Sequence, residues 1–148
     1  MGLEQAQTLE SLRDAVVDRF LAIRGSVDRA YARVSDAAVR DQIGVLVDEM
    51  AAYLRTGDAD RYRQVVARWA ALREGEGFAR ENVVHAVVAV GDAAARVAQK
   101  EAAPGEIADF LAAVHGASAL AARWLVAGLA DQLAARSAQL RALRQEGV

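Results

Sequence analysis

Two histidines are the first residues to weigh in this chain, because an imidazole can bind a metal or haem iron, carry a phosphoryl group or move a proton near neutral pH. His85 lies in "ENVVHAVVAVGD" and His115 in "AAVHGASAL". On a wheel of 3.6 residues per turn, Glu81, His85, Asp92, Arg96 and Gln99 fall on one polar stripe. Val83, Val84, Val87, Val88, Val90, Gly91, Ala94 and Val97 form a broad apolar face beside it. The spacing therefore predicts a solvated His85, with Glu81–His85 and Asp92–Arg96 as favourable i, i+4 pairs. Two sharper readings stand beside the surface one. A phosphotransfer domain exposes a helical histidine, but usually follows it with a lysine, and here the following residues are "AVVAV" and "GASAL". Haem needs an axial histidine facing a wide apolar pocket. His85 points away from its helix's apolar face, and His115 shares a side with Ala108, Ala112, Ala119 and Ala122, a small-residue seam suited to close helix packing.

Other chemistry finds less footing. The absence of cysteine excludes disulfides, thiol catalysis and cysteine-based metal sites, and suits a reducing cytoplasm. Carboxylates are plentiful, yet no Glu-x-x-His pair builds a di-metal bundle, no glycine-rich loop follows a strand, and nothing sets a nucleophile beside a base. The chain is expected to be no enzyme and to hold no metal or cofactor. Trp69 and Trp124 are its large aromatic anchors, for core packing or for lining a small-molecule pocket.

These residues must be positioned by helices. One proline and no alternating apolar–polar runs argue for an all-α chain. A first helix is expected over about Thr8 to Arg24, ended by "RGS", and a short one over Val27 to Val34. Ser35 or Asp36 caps the next, with Val39, Ile43, Leu46, Val47, Met50 and Leu54 inward. Gly57 stops it and Asp58 caps a fourth, lined by Tyr62, Val65, Val66, Trp69 and Leu72. "EGEG" ends that helix; a fifth covers about Arg80 to Lys100 and ends at "APGE". From Glu106 to about Glu146 there is no strong breaker, so one helix of roughly 60 Å is expected, its end projecting from the bundle or packing back on it.

Along that last helix Val126, Leu129, Leu133, Leu140 and Leu143 follow a heptad seam whose missing position is Arg136, a short and imperfect coiled-coil pattern. The chain thus reads as a single helical bundle of about six helices over residues 1–148, with 125–146 as a protruding dimerisation helix. A net charge of −2, spread along the chain, gives no attraction to nucleic acid or to an anionic membrane. The N-terminus lacks the order of a signal peptide. The weakly apolar run from Leu111 to Ala130 contains Arg123, which costs roughly 2.5–3.5 kcal/mol at a membrane centre. It reads as a soluble helix.

The segment "LVDEMAAYLRTGDADRYRQVVARWAALREGEGFARENVVHAVVAVGDAA", Leu46 to Ala94, resembles the N-terminal sensory domain of RsbR-type stressosome proteins, in particular the RsbRD-like class. The resemblance is carried by the "YLRTGD" helix stop and start, by Arg73, Gly77 and Phe78, and by the amphipathic helix after them. It implies a globin-like helical fold without haem, dimerisation and receipt of a signal, with the last helix leading into an effector module; a sequence that stops at Val148 before such a module is expected of either a stand-alone relative or an excised domain. The expected function is a non-enzymatic cytoplasmic regulatory or sensory domain, homodimeric and in contact with other signalling proteins. A small-molecule or haem-binding protein and a histidine phosphotransfer domain remain the alternatives.

Overall fold

The computed structural model describes residues 2–147. Five α-helices follow one another: α1 (Leu3–Val27), α2 (Asp36–Thr56), α3 (Ala59–Gly75), α4 (Arg80–Glu101) and α5 (Pro104–Glu146), with a 3-10 turn (Arg29–Arg33) between α1 and α2. No strand occurs among the described residues.

Most boundaries follow from local chemistry. Ser35 Oγ accepts the Ala38 N–H at 3.2 Å and opens α2; Asp58 Oδ1 accepts the Arg61 N–H at 3.2 Å and opens α3. Pro104 stands in the first turn of α5, where its missing N–H costs no helical hydrogen bond. Gly77, at φ 94°, takes the positive-φ step that lets the chain double back between α3 and α4.

The first helix departs from expectation. It begins at Leu3 and continues through Gly25 and Ser26 to Val27. Ala6 and Leu9 are buried in the bundle, and this packing extends the helix beyond what capping signals mark. Glycine in a helix costs only about 1 kcal/mol, which half-buried Val27 on the core helps offset. The short helix expected over Val27 to Val34 is the 3-10 turn, opened by Asp28, whose Oδ1 accepts the Ala30 N–H at 3.0 Å.

At the centre lies α4, packed most extensively against α5 and then against α1, while α1 also lies along α2. Val83, Val87, Val90, Ala94 and Val97 are buried, whereas Val88 is exposed and Val84 half-buried. Gly91 brings α4 and α5 together: a Cβ there would stand 2.7 Å from Ser118 Oγ. Ser118 itself is buried and donates to the Val87 carbonyl at 2.8 Å. Tyr62 ties α3 to α5 by donating from its buried hydroxyl to the Ala117 carbonyl at 2.9 Å.

The bundle-facing stripe of α5 is Phe110, Val114, Ala117, Ser118, Ala121 and Leu125. Continued in steps of three and four, it reaches Gly128, Gln132, Ala135 and Gln139, none a large apolar residue. Residues 130–147 are all exposed, so α5 leaves the bundle where its inward stripe runs out. By length and composition α5 also contains a stretch apolar enough to cross a membrane, one third of it buried in the bundle.

Candidate functional site

Asp28 is the nearest thing to a polar hub. Its carboxylate is only 10% exposed, yet it meets Ala30 N–H on one oxygen and, on the other, Asn82 Nδ2 at 2.7 Å and His85 Nδ1 at 2.9 Å. Asn82 is fixed from its other end, because its Oδ1 accepts the Ala79 N–H at 2.8 Å. Burial pushes the Asp28 carboxyl up, but the donors from Asn82, Ala30 and His85 together outweigh it and hold the group below the ordinary carboxylate range. His85 lies on the outer face of α4 with 57% of its side chain exposed, and the Asp28 contact occupies Nδ1 and leaves Nε2 on the solvent side. Its partner is not Glu81, one helical turn away, but an aspartate from the α1 corner. Asp92 similarly stands 3.6 Å from His115 Nε2 across to α5 rather than bonding Arg96 on its own helix.

Arg73, Gly77 and Phe78 come together beside this hub. The Arg73 side chain is buried, 1% exposed, with its guanidinium 5.3 Å from the ring centres of both Tyr31 and Phe78. Its Nη1 donates to Glu76 Oε2 at 2.8 Å, and its carbonyl accepts the Phe78 N–H at 3.0 Å. The α3–α4 corner thus folds around its own cation, with Gly77 making the reversal. Burial raises the Tyr31 phenol to about 12, while the Arg73 charge pulls the other way. Sequence reasoning missed Asp28, Tyr31 and Glu76. Only the spacing of Arg73 to Gly77 and Phe78 hinted at the cluster.

The two tryptophans occupy different places. Trp69 is buried against the core and lines an open groove of about 840 Å³ between α2 and α3, with Val45, Leu46, Val65 and Leu72 beside it. Leu72, expected in the core, is instead exposed at this groove, because α3 lies apart from α2 here. Trp124 sits half-buried on α5, its ring edge-on to Tyr62 at 5.3 Å and beneath the Arg63 guanidinium.

Most of the candidate seam lies outside the bundle. Val126, Leu133, Leu140 and Leu143 are 52%, 54%, 54% and 59% exposed, and Leu129 is half-buried. They follow a line beside the inward stripe rather than on it. Toward the bundle this line continues over exposed Ala119, His115, Ala112 and Ala108, with half-buried Ala122.

Among the described residues no group of three or more His, Asp or Glu side chains could hold a metal ion. The chain matches no protein-family model, no curated protein and no solved structure.

Proposed function

We propose that this chain is a non-enzymatic regulatory domain that pairs with a second copy through the outer part of α5 and passes a signal to other proteins along that helix. One observation carries the reading: an unbroken helix whose first half is core and whose second half presents Val126, Leu133, Leu140 and Leu143 to solvent. Exposed large apolar residues on one helical line mark an interaction face. A shift of α5 against α4 at the tight Gly91–Ser118 contact would move the whole outer segment, because a continuous helix transmits displacement as a rigid element. The sensory part, the globin-like character without haem and the cytoplasmic setting rest on the stressosome resemblance over Leu46 to Ala94 and on composition. The small net charge supports partners that are proteins rather than nucleic acid or membrane. Substituting Leu133→Glu and Leu140→Glu together should halve the mass measured by light scattering. An unchanged mass overturns the reading.

A second reading, a small apolar ligand bound beside Trp69, is favoured by the groove between α2 and α3. Its volume lies within the range of small-molecule sites, and Val45, Leu46, Val65, Trp69 and Leu72 give it an apolar patch within a lining that also carries charged residues such as Asp41, Glu49 and Arg68. Titration of a Trp124→Phe variant with anilinonaphthalene sulfonate should quench Trp69 emission if the groove binds. A flat titration removes this reading. The haem alternative loses support, since His85 is held by Asp28 on the outer face and His115 stands on the surface near Asp92.

A further inference from the structure

The exposed line on the outer part of α5 is complementary to itself when reversed. Val126, Leu133 and Leu140 share one heptad position; Leu129, Arg136 and Leu143 share the other. We infer that two copies pair these segments antiparallel, about a two-fold axis between Ala134 and Ala135. Val126 then meets Leu143 of the second copy, Leu129 meets Leu140, and Leu133 meets Arg136. The inference rests on the dimer reading above and adds its geometry.

Arg136 decides the direction. Two parallel segments in register would set Arg136 against Arg136 inside the seam, like charge on like charge with apolar layers on both sides. Reversing one segment places each Arg136 beside a leucine, where its aliphatic stem covers the apolar surface and the guanidinium reaches water. The rest of the exposed line points the same way, because parallel pairing carried toward the bundle would also face His115 with His115.

Register follows from matching large residues. Sliding the second copy one heptad toward the bundle sets Arg136 against Val126, and leaves Leu140 and Leu143 on Ala122 and Ala119. Sliding it one heptad the other way leaves Val126 unpaired. Only the register centred between Ala134 and Ala135 gives each of Val126, Leu129, Leu140 and Leu143 a large apolar partner. At its bundle end this register runs over exposed Ala119 and Val126 and over half-buried Ala122 and Leu129, so the tip of a second α5 would lie close to the α3–α4 corner. The interface is isologous, and it sets the two bundles at opposite ends of a seam about 27 Å long rather than side by side.

Because the chain has no cysteine, introduced thiols report this geometry directly. A disulfide needs Cα atoms within about 7 Å, while positions 129 and 140 of one helix lie roughly 16 Å apart and cannot bridge each other. Under mild oxidation the full chain carrying Leu129→Cys and Leu140→Cys should run mostly as a covalent dimer on a non-reducing gel. Leu140→Cys alone should stay monomeric on that gel. Light scattering on the unsubstituted chain separates the two levels of the argument. A monomer there overturns the dimer itself and leaves the stripe to a different helix or a membrane surface. A dimer in which Leu140→Cys alone cross-links overturns the antiparallel arrangement, and so does a dimer in which the double variant does not.

Discussion

Nδ1 of His85 stands 2.9 Å from Oδ2 of Asp28, so the first turns of α4 are tied to the corner where α1 ends. The contact gives an exposed histidine a fixed ring orientation and gives a nearly buried carboxylate one of its three donors.

The Asp28 carboxyl is depressed in the folded chain and titrates near its ordinary value of 3.8 when unfolded. Its contribution to stability is therefore present above that value and is lost as pH falls through the lower folded value. Asp28→Asn should be less stable than the unsubstituted chain at neutral pH, with the gap narrowing on the acid side. Urea unfolding across that range measures it; a gap independent of pH would show that the ionised carboxylate contributes nothing.

At the α3–α4 corner, Arg73→Lys keeps the charge but loses the planar guanidinium that packs against the neighbouring rings of Tyr31 and Phe78. We expect a loss of about 1–3 kcal/mol, the scale of a desolvated cation–π contact plus a buried charged hydrogen bond. Equal urea midpoints for the two proteins would show that stacking is unimportant there.

Two helical glycines should respond with opposite sign. Gly91→Ala drives a methyl group into Ser118, which is held by its bond to the Val87 carbonyl, and overpacking of this kind costs roughly 1–3 kcal/mol. Gly116→Ala meets nothing within 4 Å and should gain about 0.5–1 kcal/mol from helix propensity. Thermal melts of both variants check the pair, and a stabilised Gly91→Ala would mean that α4 and α5 can move apart freely.

Truncation after Ala130 removes residues that are all exposed, so the bundle should remain folded. The full chain, if dimeric through this segment, should melt higher as its concentration rises; the truncated chain should not. Loss of folding on truncation would place the outer helix in the core after all.

How much was legible in the residues depends on how local the interaction is. Ser35, Gly57, Asp58 and Pro104 mark helix ends through contacts within a few positions: α2 begins and ends, and α3 and α5 begin, at those marks. The start of α1 was not legible, because it is held by burial of Ala6 and Leu9 against elements distant in sequence. Leu72 and Val88 misled for a related reason: a helical wheel ranks faces without knowing how closely a neighbour packs.

By itself, then, the sequence determined an all-α chain, the breaks between its helices and a final helix with a leucine line along one side, since each depends on residues one or two turns apart. The tertiary structure alone decided that Asp28 meets His85, that Arg73 is buried against two neighbouring rings, and that most of the leucine line faces solvent. Those outcomes depend on the distance and rotation between packed helices, and no spacing along one chain specifies either.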